Sequence, residues 1–456
     1  MIIFLLIGLV YRFSAVYPSS PTRFAPASCA LQSCWIYEGD RPIFYSGQAW
    51  MGPAGNYLIA IMYKIFGISS LTLSLFAWLM SALYYLLTVF LAFRLFGKGT
   101  ALCTALLFMI PNVRLMYLAG QPRSHYELCF VLTPLVFLMT LSLLDRFRDG
   151  KTVLLYSLLL GFLSGFAFWN NMSIGPAIAV CVLVLWIRLK RQFFKPWLLL
   201  YICGGLIGFS PVIYYNLTTE MVLTGQANVN NAMNFFSVLK AFITNALPYF
   251  WEIQFRKMSN PVLVYVSIAF LVWIGILYLI VFIEGVKKAW KKEDWLGYGV
   301  LFGYLMGHLL ITSVSSYGKR FAEGSNPISY IINLYTVAFT IPAVIASYKW
   351  KVWKKLILLF PFCFYLVNNS VHTFHYPKLF YSTLKEKGWS SVTRYPDPDN
   401  PLLGFFSKHD LKAGYIGRSL HAGSGSIRGM NFLFNLECFG KISFADFSSE
   451  RYLPYA

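Results

Sequence analysis

The chain has 456 residues, of which 57% are hydrophobic and only 12% charged, about half the charged share of roughly 25% in ordinary globular domains. A water-soluble fold has no interior large enough to hide that much apolar side chain, so secreted, cytosolic, fibrous and disordered classes are excluded. The 38 basic against 18 acidic residues give a formal charge of +20, and the distribution of that charge decides what it means.

A bilayer core about 30 Å thick needs about 20 apolar residues in each crossing helix. In chain order the apolar runs are Met1–Val16, Leu71–Phe93, Ala101–Leu118, Cys129–Leu144, Val153–Trp169, Ile174–Trp186 and Trp197–Tyr215. Pro261–Phe282, Leu296–Ile311, Tyr330–Ile345 and Leu356–Val367 follow. The reading is an all-α polytopic membrane protein with about eleven spans. The first run is interrupted by Arg12 and has no basic flank; with no clean small-residue cleavage site after it, it is taken as the first membrane helix rather than a signal peptide.

Alternate connections are basic. They carry Arg94 and Lys98; Arg146, Arg148 and Lys151; Arg188, Lys190, Arg191 and Lys195; Lys287, Lys288, Lys291 and Lys292; and Lys349, Lys351, Lys354 and Lys355, together 17 of the 38 basic residues. The positive-inside rule makes these loops cytoplasmic. Most of the net charge therefore sets topology, and nucleic acid is not expected as a partner.

Three segments fall on the opposite, extracytoplasmic face. Residues 17–70 form a first outer loop in which Met51–Phe66 is expected as a helix along the membrane. Residues 216–260 form a second, with an amphipathic stretch around Ala232–Phe250. The membrane domain is read as residues 1–370, and residues 371–456 lose the membrane composition. In that tail Pro401–His409 reads as a helix, with Leu411–Ile416, Phe432–Phe439 and Ile442–Phe447 as strands of a small extracytoplasmic α/β module. Cys29 and Cys34 share the first outer loop, either as a disulfide or as two free thiols.

No acidic residue falls in the middle of a predicted span, which argues against a proton-coupled pump. The absence of paired, interrupted helices argues the same way against many transporter folds. Chemistry is expected at the outer membrane face, where Glu38 and Asp40 lie in Tyr37-Glu-Gly-Asp-Arg-Pro-Ile-Phe-Tyr-Ser-Gly-Gln-Ala-Trp-Met-Gly-Pro53. Glu127 lies in a very short loop, Gln121-Pro-Arg-Ser-His-Tyr-Glu-Leu128. Such carboxylates suit three roles: ligands of a divalent metal beside a phosphate leaving group, a general base for an acceptor hydroxyl, or solvated turn residues. Arg123, Lys319 and Arg320 stand at outer positions where topology asks for no positive charge. They suit a clamp on a lipid-linked phosphate, or contact with lipid headgroups. His125 reads as a loop histidine, with phosphate or metal contact as the alternative.

The run Pro42-Ile-Phe-Tyr-Ser-Gly-Gln-Ala-Trp-Met-Gly-Pro53, followed by Leu58–Phe66 and Gly67-Ile-Ser69, resembles the first outer loop of GT-C membrane glycosyltransferases. These are the bacterial and archaeal relatives of dolichyl-phosphate-mannose:protein mannosyltransferases. Weaker echoes are Gly161–Asn171, Gly204-Gly-Leu-Ile-Gly-Phe-Ser-Pro-Val-Ile-Tyr-Tyr-Asn216 and Glu450-Arg-Tyr-Leu-Pro-Tyr455. The resemblance implies a GT-C-like enzyme of the cell envelope that takes a hexosyl or pentosyl group from a polyprenyl-phosphate carrier. The group passes to a glycan, lipid or protein acceptor at the extracytoplasmic face, usually with inversion, here expected in a bacterial inner membrane.

It also implies an acidic site after the third span, matched by Glu127, and an acidic pair early in the first outer loop. Residues 19–35 contain no carboxylate. Either Glu38 or Asp40 serves as the base, or the chain is a non-catalytic member that binds lipid-linked saccharide. A lipid-sugar flippase is the third reading. The candidate donor-binding set is Arg123, His125, Tyr126, Lys319, Arg320, Tyr45 and Gln48, and Asp40 with Glu127 is the candidate site for Mg or Mn.

Overall fold

In a computed structural model, the described residues are 1–13, 24–45, 51–120, 123–218, 233–251, 253, 261–315, 332–348, 350–354, 360–363, 365–367 and 369. The tail from residue 371, with its predicted α/β module, lies outside them. So do Gln48, Lys319 and Arg320.

Regular structure in the described residues is overwhelmingly helical. In chain order the helices are α1 (Ile2–Phe13), α2 (Phe24–Glu38), α3 (Ala54–Phe66), α4 (Ser70–Phe96), α5 (Lys98–Met109), α6 (Val113–Gly120) and α7 (Ser124–Arg148). They continue with α8 (Leu154–Asn170), α9 (Gly175–Leu189), α10 (Trp197–Thr218), α11 (Phe235–Ala241), α12 (Leu247–Phe250), α13 (Pro261–Trp290), α14 (Leu296–Val314) and α15 (Tyr335–Ala343).

Six stretches are long and apolar enough to cross a membrane: Leu71–Phe96, Ser124–Arg148, Met172–Phe194, Trp197–Thr218, Val264–Trp290 and Leu296–Val314. Each contains or overlaps a predicted span. The other predicted spans are shorter or broken. Met1–Val16 is met by the 12-residue α1, and Val153–Trp169 by the 17-residue α8. At about 1.5 Å per residue, α8 reaches about 25 Å. Ala101–Leu118 divides into α5 and α6 because Pro111 has no N–H to donate and disfavours helix at Ile110. Leu356–Val367 lies largely outside the described residues.

The chain forms two compact units. One comprises Met1–Leu9, Ala82–Val113 and Cys129–Thr373; the other comprises Val10–Ser81, Arg114–Leu128 and Phe374–Ala456.

In the first unit, α8 and α10 pack on a seam of glycines. A Cβ built on Gly161 would lie 1.9 Å from the Tyr201 carbonyl oxygen, and one on Gly165 would lie 2.0 Å from that of Gly205. From the facing helix, Gly204 and Gly208 meet the carbonyls of Leu158 and Phe162 at 2.1 and 2.2 Å. Only hydrogen fits at these four positions, so the backbones touch directly, the packing that small residues allow between apolar helices. Trp251 anchors a separate aromatic cluster against Phe270, Phe339 and Tyr365, with ring centroids at 5.8, 5.1 and 4.9 Å.

Ion pairs in this unit join the ends of helices. Arg94 pairs with Asp145 across α4 and α7, and Arg188 with Asp294 at 2.7 Å. Asp294 also accepts the Leu296 amide at 3.2 Å, near the start of α14. Both pairs hold together loop ends that the charge pattern assigns to one side of the membrane.

Candidate functional site

Most of the predicted site residues that are described gather in the second unit, around α2, α3 and the first turn of α7. The sequence reads residues 19–35 as an outer loop, yet most of that stretch is α2, with Ser28 to Cys34 all buried. A run of small and neutral polar residues carries little hydrophobic periodicity, so the helix leaves a weak sequence signal. Its buried face is polar enough to make hydrogen bonds rather than merely pack.

Asn56, on α3 and fully buried, ties the three elements together. Its Nδ2 donates to the Cys29 carbonyl at 3.0 Å and to Gln32 Oε1 at 3.2 Å. Its Oδ1 accepts from the Ser124 hydroxyl at the start of α7. Gln32 passes the network on by donating to the Phe44 carbonyl at 2.8 Å. A Cβ on Gly55 would sit 2.6 Å from both the Cβ and the carbonyl oxygen of Ser124, so α3 lies directly on the α7 start. Asn56→Ala removes three buried hydrogen bonds, each contributing about 0.5–1.5 kcal/mol. The variant is expected to melt several degrees lower in detergent, and an unchanged melting temperature would show the network to be slack.

Glu127 and His125 are not in a loop, as the sequence suggests, but in the first turn of α7. The polar run Ser124 to Glu127 lowers local hydropathy and reads as a connection. In the fold, Ser124, His125 and Glu127 are buried, at 0%, 2% and 1% exposure. Both Glu127 carboxylate oxygens accept the Arg123 backbone N–H at 2.7 Å. A carboxylate at a helix N-terminus is favoured by the dipole and by the free amide groups there. Glu127 thereby fixes the backbone of Arg123, whose side chain is half-buried. The Arg123 Nε is buried and has no hydrogen-bond partner.

His125 packs edge-on against Tyr45, with ring centroids at 4.5 Å, and lies 4.4 Å from Tyr126. The Tyr45 and Ser28 hydroxyls share a hydrogen bond of 2.6 Å. Burial, above all, raises the Tyr45 phenol above its ordinary range despite the nearby Arg123 cation, so Tyr45 acts as a neutral hydroxyl. Burial pushes the Cys29 thiol up to about 12, which removes it as a thiolate nucleophile. Cys29 and Cys34 are free thiols. Both lie on α2, five residues apart, and a rise of about 7.5 Å keeps their sulfurs from bonding.

Glu38 and Asp40 are exposed at the opposite end of α2. Gly39, at φ +122°, turns the chain there, and the Asp40 amide donates back to the Trp35 carbonyl at 2.9 Å. A side chain at position 39 would be strained in this left-handed conformation. The Glu38 carboxyl is held above its usual range, first by partial burial and then by the charge of Asp40. Glu38 is nine residues beyond Cys29, about 13 Å along the helix axis.

That spacing bears on a metal. One Mg ion binds its oxygen ligands at about 2.0–2.1 Å, whereas Asp40 sits at the far end of α2 from the Cys29–Ser124 level of Glu127. Among the described residues no group of three or more His, Cys, Asp or Glu side chains is placed to hold a metal ion.

The sequence profile described as dolichyl-phosphate-mannose-protein mannosyltransferase matches residues 50–215, just over a third of the chain. The match includes α3, the start of α7 and the α8–α10 region, and so meets the resemblance read from the sequence. Among solved structures, the chain is similar to the Archaeoglobus fulgidus oligosaccharyltransferase in complex with Zn and sulfate. The identity is 13% and the TM-score 0.48, over 81% of this chain and 51% of that one. The apo form gives 13% identity and 0.46, over 83% and 55%. Archaeal oligosaccharyltransferase AglB from the same organism, in complex with an inhibitory peptide and a dolichol-phosphate, gives 14% and 0.43, over 82% and 54%. The chain thus spans about half the length of these structures. No curated protein matches the sequence.

Proposed function

We propose that this chain is a GT-C membrane glycosyltransferase that moves a sugar from a polyprenyl-phosphate carrier to a glycan, lipid or protein acceptor. The reaction takes place at the extracytoplasmic face of a bacterial inner membrane. The family profile over residues 50–215 supports the reaction class. The observation that carries the reading within this fold is the bidentate clamp of buried Glu127 on the Arg123 backbone, beside a guanidinium with an unbonded Nε.

Arg123 holds the donor phosphate through charge-assisted hydrogen bonds. Glu127 is a positioning residue that keeps Arg123 in place. Tyr45, His125 and Tyr126 line the donor side, with Tyr45 a neutral hydroxyl. The acceptor hydroxyl attacks the anomeric carbon, and the bond from that carbon to the phosphate oxygen breaks. Polyprenyl phosphate departs with the electron pair.

The hydroxyl proton passes to a carboxylate at the other end of α2. Of Glu38 and Asp40, the raised Glu38 is better matched to accept it near neutral pH. The separation along α2 leaves room for a sugar phosphate between base and cation. No step is routed through a metal.

The test is a transfer assay on the purified protein in nanodiscs, with a radiolabelled panel of polyprenyl-phosphate sugars and a native-membrane acceptor extract, with and without divalent metal. Released polyprenyl phosphate together with labelled acceptor is the expected result. Donor binding without turnover across the panel would overturn the transferase reading in favour of a binding-only member.

A further inference from the structure

A second polar cluster lies in the first unit. Asn171 follows the last residue of α8, and a short turn, Met172–Ile174, leads into α9. The Asn171 Oδ1 accepts the Ser173 amide at 2.9 Å and so caps that turn. From the turn preceding α15, Asn333 Nδ2 donates to the Ser173 hydroxyl at 3.0 Å and to the Cys129 sulfur of α7 at 3.2 Å.

Asn171 and Asn333 are 2% and 1% exposed. Each has spent one half of its amide on these bonds. The other half, Asn171 Nδ2 and Asn333 Oδ1, is buried without a hydrogen-bond partner. Turning either amide over exchanges the atoms and still leaves one polar atom unpaired.

Leaving a buried amide group unpaired is costly, and among the described residues there are two here, on side chains that both bond to Ser173. One is a donor and the other an acceptor, and neither is charged. A phosphate would satisfy the donor but repel the acceptor oxygen, and an ammonium group the reverse. A hydroxyl donates and accepts, and meets both.

We propose that Asn171, Ser173 and Asn333 form a subsite that recognises a sugar hydroxyl. The identification of that hydroxyl as a sugar's rests on the glycosyltransferase reading; a trapped water would offer the same chemistry. The two sources are separable because water binding is indifferent to added sugar.

The experiment is saturation-transfer NMR on the full chain in nanodiscs, with methyl α-D-mannopyranoside and methyl α-D-glucopyranoside as probes. Asn171→Asp is the first variant: it keeps an oxygen that caps Ser173 and exchanges the free amide donor for a carboxyl oxygen, which adds a buried acid. Asn333→Ala is the second variant. Both are expected to melt below wild type while remaining folded and monodisperse, and to weaken at least one sugar's binding about tenfold.

Wild-type protein that binds neither sugar, or variants that bind as well as wild type, would overturn the subsite. The transfer assay separates the two readings. Turnover with variant binding unchanged removes the subsite alone, and sugar binding lost in Asn171→Asp without turnover in any form removes the transferase alone.

Discussion

Gly165→Leu is expected to abolish the folded, monodisperse form of the protein in detergent. The carbonyl oxygen of Gly205 lies 2.0 Å from where the Cβ would stand, and the carbonyl carbon lies 2.8 Å away. Both are backbone atoms of a helix and cannot rotate aside as a side-chain end would. Overpacking a tight site costs about 1–3 kcal/mol when neighbours can adjust; here α8 and α10 must move apart along several turns. The expected loss therefore exceeds about 3 kcal/mol, a large part of the about 5–15 kcal/mol that holds an ordinary domain folded.

The control lies in the same seam. A Cβ on Gly205 meets nothing closer than the Gly161 oxygen at 3.7 Å, so Gly205→Ala is expected to fold and melt as wild type. Size-exclusion profiles and melting curves of the pair decide it. Equal behaviour of the two variants would mean that the helices do not touch along this line.

Glu127→Gln is expected to lower sugar transfer by about 100-fold while leaving the protein folded. Glutamine keeps an oxygen that accepts the Arg123 amide, so the start of α7 survives. It loses the charge that strengthens that bond and that complements the helix N-terminus. Arg123 is then held less firmly, and placing a phosphate-binding cation loosely is costly to a step that depends on its position.

Arg123→Ala should raise the KM for the lipid donor and lower kcat as well, because the phosphate gains charge as it leaves. Arg123→Lys should restore part of the binding but less of the rate. Release of polyprenyl phosphate, measured against donor concentration, separates these effects. Unchanged turnover in both Glu127→Gln and Arg123→Ala would remove the two residues from the mechanism.

Much of this was legible before any fold. The apolar runs that became α4, α10 and α13 are long enough to be read by length alone, since a bilayer imposes a minimum that few soluble helices meet. The helix predicted over Met51–Phe66 is met by α3. Arg123, His125, Tyr126 and Glu127 stood out as polar residues between two apolar runs, and Tyr45 stood in the motif that carries the family resemblance.

Other features were hidden. α2 lies in a stretch with no apolar stripe, and Asn56 looks like an interruption in an apolar segment. Nothing in the local pattern says that Asn56 holds Cys29, Gln32 and Ser124 at once. The pairing of Asn171 with Asn333 through Ser173 spans 162 positions of chain and leaves no periodic trace.

Composition and the apolar runs determined by themselves that this is a multi-pass membrane protein, because hydrocarbon thickness acts on every segment independently. Only the tertiary structure decided which polar residues are buried and against what. It turned the apparent loop carboxylate Glu127 into a clamp on Arg123, and set Glu38 and Asp40 at the far end of α2. The reason is physical: a hydrogen bond or a glycine contact is a relation between two distant residues, and its energy depends on a distance that no single segment contains.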